Sequence, residues 1–282
     1  MKRILSIALS LIMILALLTA CGGDDSTTST SDNTSETSEA TSPSPSETAE
    51  ETELYVLAAA SLTDVLTELE AMYKEEHPEV TLTFNFDSSG TLQTQIEEGA
   101  PADIFFSAAQ KQMKALDEAG LMDSNTIVNM LENKVVLIKP TGSDLAITSF
   151  EEAAEDDSVT MVAIGNSDVP VGQYTETIYT NLGLWEQLSA KATFGNNVRQ
   201  VLDWVSTGNV NCGIVYATDA AVDDGVEVIT EAPEGSADRV IYPAGVVEAS
   251  SNKEQAEAFL EFMQTDEALA VFEKYGFTIY SE

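Results

Sequence analysis

The chain has 282 residues, with 48 acidic against 12 basic ones and a formal charge of −36. A field of that sign repels nucleic acid and anionic headgroups, which excludes both as partners of the folded surface. Any anion site must therefore work through local backbone dipoles and hydroxyls. The chain opens on Lys2 and Arg3, followed by a mainly apolar run from Ile4 to Leu18 and the tetrapeptide Leu18-Thr19-Ala20-Cys21. A basic start, a short hydrophobic stretch and small residues before a cleavage point predict a secretory signal over residues 1–20. The run is short for a membrane span, which needs about 20 apolar residues.

Cys21 directly after Leu-Thr-Ala resembles a bacterial lipobox, so lipid attachment to its thiol is expected. Residues 21–53 are acidic and rich in Ser, Thr and Pro. Such a stretch buries too little apolar surface to offset the entropy of ordering, so it reads as a disordered tether. Lipid and spacer together place the folded part on the outer face of the cell membrane, or in a periplasm if there are two membranes. With Cys21 lipidated, Cys212 has no disulfide partner; its run Cys212–Tyr216 reads as a buried strand.

The folded region is long for one core and comfortable for two. Leu54–Ala60 predicts a strand, and Leu62, Val65, Leu66, Leu69, Met72 and Tyr73 recur at helical spacing after it. Val80, Leu82, Phe84 and Phe86 alternate with polar residues as in a half-buried strand. A helix over 91–98, a strand over 103–107 and a helix stopping at Gly120 follow. Val135–Ile138 opens a second series. Ser149 with Glu152 forms a capping box, Val159–Ile164 is a strand, and helices start near Gly172 and after Asn197. Strand Gly213–Tyr216, strand Ile241–Val247 and two closing helices complete the chain.

Repeated strand–helix units predict an α/β fold in two lobes, each a mainly parallel sheet flanked by helices. Residues 54–134 make the first part of lobe I, 135–239 lobe II, and 240–282 return to lobe I. The expected hinge lies near Val135–Ile138 and Ile241–Val247. Ligands of open α/β sheets lie beyond the carboxyl ends of the strands. There the same kind of residue recurs: Ala58-Ala59-Ala60-Ser61, Asp87-Ser88-Ser89-Gly90, Val169-Pro170-Val171-Gly172 and Asn196-Asn197-Val198-Arg199. Each helix start exposes free N–H groups and the positive end of a dipole, and small residues let an anion approach. Ordinary capping by Ser61 or Ser89 explains any one of these starts, but four in two lobes suggest one shared cleft.

These runs, with Ser88-Ser89-Gly90-Thr91-Leu92, Gly99-Ala100-Pro101-Ala102-Asp103-Ile104-Phe105, Gly213-Ile214-Val215-Tyr216 and Tyr275-Gly276-Phe277-Thr278, resemble the periplasmic molybdate-binding protein family across the whole folded region. The resemblance implies a type II periplasmic-binding-protein fold that captures molybdate or tungstate and delivers it to the permease of an ABC importer. It implies neutral donors to the oxyanion: the hydroxyls and amides of Ser61 and Ser89, the backbone N–H groups of Val171 and Val198, and the phenol of Tyr216. It implies no cofactor, no catalysis and a monomer. Arg199 is expected to run along its own helix. Asp87 stands where the family carries a small neutral residue. Strand alternation aims it away from the cleft, whereas a carboxylate inside would accept a proton from a protonated oxyanion such as hydrogen phosphate. A binding protein for phosphate or sulfate is the alternative ligand reading.

Other classes fit worse. The single histidine, His77, precedes Pro78 at a helix end, and no Gly-x-Ser-x-Gly elbow occurs, which argues against a hydrolase. The Asp156-Asp157 and Asp223-Asp224 pairs read as solvated turns. A surface adhesin would share the tether but would not need four small-residue helix starts facing one cleft.

Overall fold

A computed structural model describes residues 51–281. The signal segment, Cys21 and most of the tether therefore lie outside the described residues. Strand β1 (Thr52–Ala59) leads through a single 3-10 turn at Ala60–Leu62 into helix α1 (Thr63–Glu76). The strand starts two residues earlier than the apolar pattern suggests, because Thr52 and Glu53 pair with Val80 and Thr81 of the neighbouring strand. Strand β2 (Val80–Asp87), helix α2 (Ser89–Glu97), strand β3 (Ile104–Phe106) and helix α3 (Gln110–Glu118) follow. Gly120 sits at φ +70° just past α3, the left-handed position that ends a helix.

Strands β4 (Val128–Asn133) and β5 (Val135–Pro140) are separated only by Lys134. Strand β4 is not among the expected strands, although Glu132-Asn133-Lys134 separates its apolar residues from those of β5. After β5 come helix α4 (Phe150–Glu155), strand β6 (Val162–Gly165), helices α5 (Pro170–Asn181) and α6 (Trp185–Ala190), and strand β7 (Ala192–Gly195). Ser149 caps α4 by accepting from the N–H of Glu152, while the Glu152 carboxylate turns to the N–H and hydroxyl of Thr148. Helix α7 (Val198–Ser206), strand β8 (Cys212–Tyr216), helix α8 (Ala217–Ala221) and strand β9 (Val226–Glu231) complete the second series. Strand β10 (Val240–Val246), helices α9 (Lys253–Phe262) and α10 (Asp266–Lys274) and the short strand β11 (Thr278–Ile279) end the chain.

The strands form two sheets, ordered β11-β4-β10-β3-β1-β2 and β7-β6-β8-β5-β9. This is the expected two-lobed α/β architecture, but the sheets are mixed. Parallel pairing is confined to β2-β1-β3 and β7-β6-β8, the strands joined by helical crossovers. Strands β4, β5, β9, β10 and β11 pair antiparallel. None of these antiparallel pairs is a hairpin; each joins strands that are distant in the chain.

The chain passes between lobes at Lys134 and again over residues 232–239. Strands β5 and β10, near which the hinge is expected, each lie wholly within one sheet, and the two crossings directly precede them. The Lys134 ammonium lies 2.9 Å from Glu231, tying the two crossings together. Asn133, the last residue of β4, accepts the N–H of Lys134 and donates to the hydroxyls of Thr218 and Tyr242. Cys212 is fully buried, and burial pushes its thiol up to about 12, so it is inert packing.

Candidate functional site

The carboxyl ends of β1 and β2 lie side by side, with Ala59 in register with Asp87. In the other lobe, Gly165 of β6 is in register with Gly195 of β7. The helix starts beyond these ends face one another across a cleft, where they enclose a small cavity. Its wall includes Ser61, Asp87, Ser88, Ser89, Ala108, Val169, Pro170, Val198 and Tyr216. Its volume is about 10 Å3, roughly the room one water needs and far below the roughly 300 Å3 at which pockets for drug-sized organic ligands begin.

Four of the five candidate residues line this cavity together. Ser61 is buried in the 3-10 turn, which has no side-chain cap. Its hydroxyl meets the Tyr242 phenol at 2.9 Å instead. For α2 the cap is Ser88, whose Oγ accepts from the N–H of Thr91 and donates to the Thr91 hydroxyl. That frees the neighbouring Ser89 from capping. Its Oγ accepts the N–H of Ala108 at 2.9 Å, so its own proton can be donated elsewhere.

On the facing side, Val198 is the first residue of α7 and Asn197 its cap, accepting from the N–H of Gln200. The Val198 N–H therefore has no intrahelical acceptor. Val171 is the second residue of α5 and fully buried. It is not part of the cavity wall, which here is made by Val169 and Pro170. Pro170 has no N–H, so Val171 carries the first one in this helix. Tyr216 ends β8, with its hydroxyl 3.4 Å from the Ala108 carbonyl of the other lobe. Burial holds both the Tyr216 and Tyr242 phenols well above the usual tyrosine range, so both are neutral donors.

Two expectations are corrected. Asp87 lines the cavity instead of pointing away. It is the last residue of β2, still in register with Ala59, at the carboxyl end of the strand beside the cleft. One carboxylate oxygen accepts the N–H of Ser88 at 2.7 Å and Asn197 Nδ2 from the other lobe at 3.2 Å. Arg199 does not follow its own helix. It pairs with Asp219 on α8 and with Asp64 on α1, so it too spans the cleft.

The cleft is closed. The Gly90 N–H donates to the Asp168 carbonyl of the facing lobe at 3.0 Å. A Cβ at Gly90 would lie 2.3 Å from that oxygen, so this approach requires glycine. Gln112 and Gln173 meet at 3.3 Å nearby. Tyr242, Asp219 and the Asn197 side chain went unread in sequence. Tyr242 sits in an apolar strand and looks like core, and nothing local marks Asp219 as buried. Asn197 alone carried a signal, as a capping residue before an apolar helix face.

Among the described residues, no group of three or more His, Cys, Asp or Glu side chains is placed to hold a metal ion. No described helix is long and apolar enough to cross a membrane.

Comparison with known proteins agrees with this geometry. A family model described as a bacterial extracellular solute-binding protein matches residues 54–278. The Bacillus subtilis protein YvgL, named as a candidate ABC transporter substrate-binding lipoprotein, is 41% identical over 226 residues, 80% of this chain and 86% of that protein. The molybdate-binding protein ModA of Haemophilus influenzae is 37% identical over 229 residues, covering 79% and 89% of the two chains. Among solved structures, the substrate-binding domain of a candidate molybdenum ABC transporter from Clostridium difficile superposes with a TM-score of 0.63 at 37% identity. It covers 82% of this chain and 100% of that domain.

Proposed function

The chain belongs to the bacterial extracellular solute-binding protein family, and from that premise we propose that it captures molybdate or tungstate between its lobes and hands it to an ABC importer permease. It acts outside the cytoplasm, as a carrier and not a catalyst. On this reading the lipid on Cys21 and the tether hold it at the membrane as a monomer, and no cofactor takes part. The relatives that bind molybdate by name lend their ligand to the proposal.

One observation carries it: a cavity too small for most organic solutes, walled at helix starts by hydroxyls, a phenol and backbone, with no Lys or Arg in its lining. The hydroxyls of Ser61 and Ser89, the N–H groups of Val171 and Val198, and the phenol of Tyr216 are the proposed donors. A hydrogen bond to a charged group is worth about 1.5–3 kcal/mol net, so several pre-aimed donors offset the dehydration of a dianion. Closure excludes water and fixes the cavity radius, which discriminates against the shorter bonds of sulfate. Molybdate and tungstate are too similar in size for such a wall to separate.

Asp87 supports a second reading. A carboxylate in the wall gives a protonated oxyanion such as hydrogen phosphate the acceptor that an all-donor site lacks. Thermal unfolding of the chain from residue 22 onward, with each anion in excess, separates the two. A ligand at a hundredfold excess over its dissociation constant stabilises the native state by about 2.7 kcal/mol, a shift of several degrees. A rise with molybdate and tungstate but not sulfate is expected. A rise with phosphate alone would replace the ligand, and no rise with any anion would overturn the oxyanion reading.

A further inference from the structure

Arg199 follows the proposed donor Val198 in the first turn of α7 yet stays outside the cavity wall. Its Nε lies 2.8 Å from Asp219, a fully buried carboxylate on α8 three residues beyond Tyr216. Its Nη2 crosses the cleft to Asp64 at 2.7 Å, in the first turn of α1. The same nitrogen stands 3.5 Å from the carbonyl oxygen of Ser61. These carboxylate contacts are ion pairs, held by charge more than by hydrogen-bond alignment. One planar fork thus joins the turn that carries Ser61 to the two second-lobe elements that carry Val198 and Tyr216.

We propose that Arg199 is a positioning residue for the oxyanion site, held in its own lobe by Asp219 and drawing Asp64 and the Ser61 turn onto the ligand when the lobes close. This rests on the oxyanion reading above. The division of labour follows from the topology. Asp219 and Arg199 belong to one lobe, so their pair survives opening. Asp64 and Ser61 belong to the other, so a hinge motion that parts the lobes breaks their contacts. Free energy from the Asp64 pair then adds to the closed, ligand-holding state and leaves the open state untouched. The arrangement also sets the Arg199 guanidinium beside Asp64 and Asp219, offsetting negative charge that would otherwise face a dianion.

Arg199→Ala would strand a buried carboxylate and endanger the fold, so the test uses the other end of the pair. The Asp64 side chain is 41% exposed, and Asp64→Asn keeps its shape while removing its charge. For molybdate, dissociation from Asp64→Asn is expected to be about three- to tenfold faster, with the unfolding temperature of the ligand-free protein unchanged. Arg199→Lys, which keeps charge but loses the fork, should fall between the variant and wild type. An unchanged dissociation rate would overturn the proposal. So would a ligand-free unfolding temperature lowered as far as the ligand-bound one, since that means the pair exists in both states. If wild type binds no tetrahedral oxyanion, the oxyanion reading itself falls. The latch, which rests on that reading, then falls with it, whereas an unchanged rate in Asp64→Asn beside a wild type that does bind overturns the latch alone.

Discussion

The first-lobe wall of the cavity presents side-chain hydroxyls, whereas the second-lobe wall presents the starts of α5 and α7, whose side chains face the core. Ser61 and Ser89 depend on neighbours: the Tyr242 phenol sets one hydroxyl and the Ala108 N–H the other. Val171 and Val198 would donate through the backbone, whose direction is fixed by helix geometry whatever the side chain. The first half of the site is therefore written in residue identity and the second, apart from the Tyr216 phenol, in residue position. The first half and Tyr216 should be sensitive to point substitution, and the helix starts of α5 and α7 nearly silent.

The largest effect should come from keeping the halves apart. Gly90→Ala places a methyl group 2.3 Å from the Asp168 oxygen of the facing lobe, so the cleft cannot close fully. Affinity for molybdate should fall by about a hundredfold or more, the loss of more than one hydrogen bond to a charged ligand. Gly90 lies in the first turn of α2, where alanine is the better helix former by roughly 0.5–1 kcal/mol. The ligand-free variant should therefore unfold at the same or a slightly higher temperature. Calorimetric titration together with thermal unfolding checks both signs, and a joint loss of stability and affinity would mean the glycine serves the fold instead.

Next come the hydroxyls. Ser61→Ala or Ser89→Ala removes one donor to a charged ligand, worth about 1.5–3 kcal/mol, and should weaken molybdate binding roughly ten- to a hundredfold. Titration calorimetry reads this directly, and a loss of less than about threefold in both variants would remove the hydroxyls from the site. A smaller effect is expected one step back. Tyr242→Phe leaves the Ser61 hydroxyl without its partner at 2.9 Å but keeps the ring, so a loss of about three- to tenfold is expected, in line with one neutral hydrogen bond.

The same division explains what could be read in the sequence. Helix starts announce themselves through short-range signals, such as Ser, Asn, Gly and Pro before an apolar face, so the junctions at Ser61, Ser89, Pro170 and Val198 were legible without a structure. What lies behind or across them is set by packing between distant segments. Tyr242 reaches Ser61 over 181 residues, and Asn197 reaches Asp87 over 110. Neither pairing leaves a local trace. Asp87 failed for a different reason: it is the last residue of β2 beside the cleft, where alternation between the sheet's faces does not decide whether a side chain reaches across to Asn197. Strand β4 was missed although the polar run Glu132-Asn133-Lys134 marks the break between the two sheets.

The smallest expected effect is the sharpest test of the comparison. Val198→Ala keeps the N–H of the first residue of α7 and the Asn197 cap in place. Its side chain is buried, so the variant should lose stability, by roughly 1–3 kcal/mol for two methyl groups and the gap they leave. Molybdate affinity should stay within about twofold, because nothing that touches the ligand has changed. Val198→Pro separates position from identity completely. Proline fits the first position of a helix at little cost but has no N–H to give, so it should weaken binding roughly tenfold or more where alanine does not. Equal losses in the two variants would mean that the valine side chain, and not the backbone behind it, makes the contact, and the contrast between the two walls would disappear.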